Sequence, residues 1–312
     1  VLVDRKRVAR AVRKLAYWSG LSAARARRQA GARVLMFHGV GGVDTPLRGF
    51  EDQLRYLKRH FSVVSLDAVC DWLAGRCALP PRAVVLTFDD GLRSNFREAY
   101  PLLAALGLPA VFYVCPGLIE ERRWLWNHEA RERLRHMEPR ARQAIAARLG
   151  AANEPGAVVE RLKGLRKPER RAAEQAIRDA SPDFVATPEL RAKLDPMGWE
   201  ELRALDPRLV TVGSHTVSHD LLDSLAPAEA EYEIAESRRW LERELGREVR
   251  HFSYPNGRHD ETAVALVRRH YASAASVEPR LVGRDADPHR IPRIFVEAEP
   301  ESLAWRLHRP AV

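Results

Sequence analysis

Ala83-Val-Val-Leu-Thr-Phe-Asp-Asp-Gly91 reads as a buried strand that ends in two adjacent carboxylates and a glycine. Successive side chains at a strand end point in different directions, so Asp89 and Asp90 can face different partners across one small site. One can hold a metal while the other handles a proton. An Asp-Asp-Gly string on its own is more often a β-turn, so its meaning depends on the rest of the chain.

Working outward, short β-rich runs alternate with helical stretches, the pattern of an α/β fold with a largely parallel sheet. The strands are expected at Arg33–His38, Ser62–Ser65, Ala83–Phe88, Ala110–Val114, Leu209–Gly213, Val249–Tyr254, Tyr271–Ala275 and Arg293–Val296. Eight such strands fit a barrel, and carboxylates at the C-terminal end of a parallel strand lie where α/β barrels place their active sites. Helices are expected over Phe50–His60, Leu66–Ala74, Asn95–Leu106, Pro227–Leu245 and Glu261–His270, with Gly107 and Gly246 at C-cap positions. From about Ile119 to Pro196 the chain is rich in Arg, Glu and Ala and carries no convincing strand. That segment reads as a helical insertion, either a lid over the site or a solvated hairpin. The domain reading is a leader over residues 1–32 and a barrel over 33–312, with the insertion at about 119–196.

The chain has 312 residues, 46% of them hydrophobic, and no apolar run long enough to span a membrane. Its formal charge of +9 is concentrated at one end: residues 1–33 hold ten Lys or Arg against Asp4 alone, and the remainder is neutral. A neutral body argues against nucleic acid as a partner, because phosphate binding needs a basic surface on the fold itself. Val8, Val12, Leu15 and Trp18 form an apolar stripe among those cations, which suits either peripheral contact with an anionic membrane or packing of a helix on the barrel. Cys70, Cys77 and Cys115 lack the spacing of a zinc knuckle or a disulfide frame. With no apolar core of a secretory signal, they favour a cytoplasmic protein, peripheral at the inner face of the membrane; the periplasm is the alternative.

Three further strings carry chemistry. Gly213-Ser-His-Thr-Val-Ser-His219 sets two imidazoles at i and i+4, a spacing that lets both bind one cation if the chain turns helical there. With one Asp they make three protein ligands and leave room for water and substrate. Val249-Arg-His-Phe-Ser-Tyr-Pro-Asn-Gly257 is a strand running into a turn whose backbone N–H groups can stabilise an oxyanion. Val34-Leu-Met-Phe-His-Gly39 places His38 at a strand end, where an imidazole can act as general acid near neutral pH or simply be a hydrogen-bonded structural residue. Trp124 and Trp126 can stack on sugars but read better as core, as do Trp199, Leu202 and Leu205.

Together these strings resemble the polysaccharide deacetylases with the NodB homology domain, carbohydrate esterase family 4, over about Val34 to Val296. The branch it looks like is the one with an early Phe-His-Gly strand. The resemblance implies a distorted (β/α)7-8 barrel interrupted by the helical insertion. It also implies one divalent metal, zinc first among zinc, cobalt, nickel and manganese, and an N-acetylated glycan as substrate. By position Asp89 would be the general base, Asp90, His215 and His219 the metal ligands, and Tyr254, Pro255 and Asn256 the substrate and oxyanion contacts, with the Asn256 N–H as donor. Many members carry an Arg two residues before the third-motif proline; this chain has Ser253 there, and Arg293 is the candidate to supply that charge from another strand. A clear late His motif is missing, so the acid falls to His38, with His289 as fallback. The activity implied is metal-assisted removal of N-acetyl groups from an exopolysaccharide or cell-envelope glycan; an O-deacetylase or a silent glycan-binding barrel are the alternatives.

Overall fold

A computed structural model describes residues 5–41 and 45–311. Eight parallel strands form one sheet: β1 (Arg33–Phe37), β2 (Ser62–Val63), β3 (Ala83–Phe88), β4 (Ala110–Val114), β5 (Val210–Ser214), β6 (His251–Ser253), β7 (Ser273–Ala275) and β8 (Ile294–Phe295). Their order is β7-β6-β5-β4-β3-β1-β8. β2 pairs with Ala83 and Val84 of β3, and β4 pairs with Leu86 to Phe88, so β2 lies off the path round the sheet. The two ends meet through Ile291, which donates its N–H to the Ala274 carbonyl and accepts from Ser276, each at 2.8 Å. The result is a curled, distorted barrel of the expected α/β class.

Every residue of β3 is buried, as a parallel strand covered on both faces requires. Val84, Leu86 and Phe88 pack outward beneath the helices, with Phe88 stacked on Phe37 at 5.0 Å between ring centroids. Val85 belongs to the interior layer with Val34, Val111, Tyr113 and Ile291. This alternation fixes which side chains look into the barrel at its C-terminal end.

The helices before the insertion are α1 (Arg5–Trp18), α2 (Leu21–Arg27), α3 (Leu47–His60), α4 (Leu66–Leu73), α5 (Tyr100–Leu106) and α6 (Pro116–Glu121). The helix expected over Asn95–Leu106 is two pieces, a π-turn over Asn95–Ala99 and then α5. Pro101 has no N–H to give the ladder, and the Tyr100 N–H bonds instead to the Asn95 carbonyl. Between β4 and β5 lie α7 (Trp126–His136), α8 (Pro139–Leu149), α9 (Pro155–Lys163), α10 (Lys167–Asp179), α11 (Pro188–Leu194) and α12 (Trp199–Arg203). Helices α7 to α10 enclose a core of their own around Trp126, Leu134, Val158, Leu162 and Ile177, so this segment is a packed body and not a solvated hairpin. The remaining helices are α13 (Pro227–Leu245), α14 (Glu261–His270) and α15 (Pro300–Arg306). Gly107 and Gly246 cap α5 and α13 in the left-handed conformation, as expected.

Helix α1 packs on α15 through Arg13, which donates to Ser302 and pairs with Glu297, and through Ala16 and Tyr17. Its stripe of Val8, Val12, Leu15 and Trp18 faces solvent, with Leu15 72% and Trp18 81% exposed. Arg33 is fully buried and ties Ala26 to Leu307 by their carbonyls, so it belongs to the barrel and not to a basic surface. Asp4 and the side chains of Arg5, Lys6 and Arg7 lie outside the described residues.

Candidate active site and metal centre

The alternation that faces Val85 and Thr87 inward carries Asp89 inward too, and the same parity turns His38, His215 and Ser253 into the barrel mouth. Asp90 reaches the same space because its backbone is left-handed, with φ 74. Gly91 follows at φ 62, where a Cβ would press on Val114 at 3.0 Å. On β5, a Cβ at Gly213 would lie 2.5 Å from the Tyr113 ring, so glycine is what lets that ring lie across the barrel interior.

Asp90, His215 and His219 meet with their ligand atoms all within 4.8 Å of one another and all three side chains buried. His215 Nε2 stands 3.8 Å and His219 Nε2 3.5 Å from Asp90 Oδ1. Ligands bound at about 2.1 Å round a tetrahedral cation sit roughly 3.4 Å apart, so the spacing suits one shared ion. The Nδ1 of His215 lies 2.7 Å from the Ser253 carbonyl, which holds that proton and leaves Nε2 as the free lone pair. Burial, then the neighbouring His215, push His219 down to about 3, so its ring is neutral and available as a ligand near pH 7. Two imidazoles and a carboxylate with one open side form a donor set that can hold a divalent metal.

Asp89 stands beside that trio in a fork with Arg293: Nη1 donates to Oδ1 at 2.7 Å and Nη2 to Oδ2 at 2.8 Å. Arg293 also donates to the Ser253 hydroxyl at 2.9 Å and the Ser276 carbonyl at 2.9 Å, and its guanidinium lies over the Tyr113 ring at 5.7 Å. Burial pushes the Asp89 carboxyl up, but Arg293 and His215 outweigh it and hold the group well below the usual carboxylate range. The arginine missing at position 253 is thus supplied from the residue just before β8, Arg293, and Ser253 is its hydrogen-bond partner.

His38 and Asn256 line the cleft with Asp89, Asp90, His215 and His219. Asn256 sits in a left-handed turn at φ 52, a conformation asparagine tolerates. Two expected contacts do not line it. Tyr254 has the opposite parity to Ser253, so its ring is buried in the outer core and its hydroxyl donates to the His289 carbonyl at 3.0 Å; Pro255 is likewise buried. His289 is not in the cleft either: its Nε2 bonds to the carbonyl of Tyr271, just before β7 and so at the far end of the barrel. Trp124 and Trp126 are buried and hydrogen-bonded, to Asp195 at 2.8 Å and the His219 carbonyl at 3.2 Å, and present no stacking face.

The insertion, expected as either a lid or a solvated hairpin, supplies side chains to the site that its sequence did not single out. His128 of α7 brings Nε2 to 4.0 Å from Asp90 Oδ2, and Asn127, Arg131, Glu132, Arg135, Lys163 and Lys193 line the same cleft, whose volume is about 680 Å³. Thr216 and His219 are left-handed at φ 67 and 60, a strained backbone for such residues. It is clamped from both sides: Arg170 and Lys167 of α10 pair with Asp220, and Glu233 of α13 accepts from the Ser218 N–H and hydroxyl at 2.9 and 2.7 Å. The only local signal was Asp220 next to His219, with nothing in the sequence to name its partners.

A carboxylate held ionised beside a donor set that can hold a cation, at the catalytic end of a parallel barrel, is the equipment of a hydrolytic enzyme. The model of the polysaccharide deacetylase family matches residues 77–274, and the chain belongs to that family, whose members are enzymes. Over 268 residues it is 19% identical to YxkH of Bacillus subtilis (strain 168), provisionally named a polysaccharide deacetylase; the match covers 84% of this chain and 70% of that one. A shorter match, 37% over 62 residues, is to the poly-β-1,6-N-acetyl-D-glucosamine N-deacetylase of Escherichia coli (strain K12), covering 20% of this chain and 9% of that protein. Among solved structures, the fold is shared with the Streptococcus pyogenes deacetylase PplD (TM-score 0.61, 17% identity, 89% of this chain and 98% of that one). It is shared equally with IcaB from Ammonifex degensii (TM-score 0.60, 22% identity, 89% and 98%).

Proposed function

We propose that this enzyme removes N-acetyl groups from an amino-sugar polysaccharide or oligosaccharide, an exopolysaccharide or cell-envelope glycan, with one divalent cation, zinc first, held by Asp90, His215 and His219. The observation that carries this is the Asp89–Arg293 fork standing beside the three ligand side chains on one cleft. When bound, the cation polarises the amide carbonyl and lowers the pKa of water. Asp89 takes a proton from the attacking water. Arg293 keeps that carboxylate ionised and aimed. The Asn256 N–H donates to the carbonyl oxygen as it gains charge. His38 gives a proton to the departing nitrogen as the C–N bond breaks, so acetate and a free amino sugar leave. The amide over the ester reading is supported by the name of the Escherichia coli relative. Acetate release tests it, from N-acetylated glucosamine oligomers and from O-acetylated xylan in parallel. Release from the N-acetylated set alone, lost on chelation and restored by zinc, is expected; release from the ester alone overturns it.

We also propose that the enzyme is cytoplasmic and peripheral at the inner face of a membrane. Free Cys77 at the surface supports a reducing compartment, and the solvent-facing stripe of α1 supports docking on anionic lipid.

A further inference from the structure

The face that α7 turns to the cleft carries Asn127, His128, Arg131, Glu132 and Arg135, the spacing of one side of a helix. His128 beside Asp90 fixes its register, so Arg131 stands one turn from the reacting centre. Lys163, ending α9, and Lys193, on α11, line the same rim. The insertion therefore gives the cleft four cations and one acid. That acid, Glu132, is taken by Arg135 at 2.5 Å, and Lys163 is paired with Glu160 at 2.7 Å. Arg131 forms no ion pair with a described carboxylate, and Lys193 has as nearby counter-charge only the exposed Glu189, one turn back on α11. Arg131 is also half-buried, so its guanidinium is held at the cleft wall and not free in solvent. A neutral acetamido glycan offers these residues hydrogen-bond acceptors but no counter-charge.

Building on the deacetylase reading, we infer that the substrate is an acidic glycan, with a carboxylate or phosphate near the acetylated sugar that pairs with Arg131 and Lys193. Arg131 offers the planar fork that both oxyanions accept, and Lys193 adds a point charge on the same rim. The residues act on which sugar chain enters, and not on the bond broken.

The test compares three probes with the full-length, zinc-loaded protein: chitotetraose, its C6-oxidised uronate counterpart and its 1-phosphate. We expect kcat/KM for acetate release to favour an acidic probe by about tenfold at low salt. That preference should shrink as salt rises and fall towards one in Arg131→Gln/Lys193→Gln, with Arg131→Lys retaining part of it. Preference for the uronate places the charge in the glycan chain, and preference for the phosphate places it at a reducing-end link. Equal kcat/KM for neutral and acidic probes overturns the inference while leaving the deacetylase reading intact. If no probe releases acetate, the deacetylase reading fails separately, and binding of the three probes to Asp89→Asn still judges this one: acidic probes binding no tighter than chitotetraose overturn it.

Discussion

The Asp89–Arg293 fork joins two demands on one carboxylate. Burial favours the neutral acid, yet the proposed proton acceptor must be ionised, and the guanidinium settles the contest. Replacing Arg293 with Lys keeps a charge but loses the fork, so burial is less opposed and the Asp89 carboxyl rises. The acid limb of the pH profile of kcat/KM should move to higher pH in Arg293→Lys; an unmoved limb would mean Arg293 does not set Asp89. His219 gives a second expectation. Its unfolded value is about 6.5 and its folded value about 3, so between them the unfolded chain binds more protons. This group's contribution to the stability of the metal-free protein is complete above about 6.5 and lost as pH falls from there towards 3. Urea midpoints of the chelated protein should drop between pH 7.5 and 5, and less so in His219→Gln; parallel slopes would refute it. At this scale most of the site could be read in the sequence, because strand ends with Asp, His and turn residues are local signals. Tyr254 lies in the core and not in the cleft for a reason that is local: its parity differs from that of Ser253, and side chains alternate along a strand.

Elements, more than residues, escaped the sequence. The insertion was recognisable as helical from its lack of strands, and as either a lid or a solvated hairpin; which of the two it is, and which of its side chains meet the site, was not legible. Its buried contacts, Arg170 and Lys167 to Asp220 and the Trp126 indole to the His219 carbonyl, join residues far apart in the chain and leave no periodic trace. Arg170 is paired deep in the structure, so Arg170→Met leaves Lys167 alone to offset Asp220; removing one half of a buried pair costs about 3 to 5 kcal/mol when nothing compensates, and less here. We expect a lower melting temperature and, because the left-handed His219 loop loosens, weaker zinc binding by roughly tenfold or more. Zinc titration of the variant at wild-type affinity would show that the clamp serves folding alone. The π-turn at Asn95–Ala99 is a smaller case: one continuous helix was expected there, although Pro101 is a local signal against it, and which ladder replaces the helix is not written in the sequence.

The whole molecule is a curled parallel sheet whose catalytic end is covered by the insertion, with α1 packed along its side. The strand count was legible; the escape of β2 from the ring and the closure through Ile291 were not, because both depend on which strands meet and not on what each strand contains. Helix α1 holds to α15 by one face and leaves its apolar stripe outward, so Leu15→Glu/Trp18→Glu tests docking without disturbing the fold. Cosedimentation with phosphatidylglycerol vesicles should be lost in that variant; equal binding by both proteins would remove the membrane role from this helix. The central claim divides the site into a metal platform of Asp90, His215 and His219 and a separate proton acceptor, Asp89. Its most direct test is Asp89→Asn, with bound zinc and acetate release measured on the same sample. One zinc per chain with turnover reduced by about 10³-fold or more is the expected result, and full turnover in the zinc-replete variant would contradict the assignment.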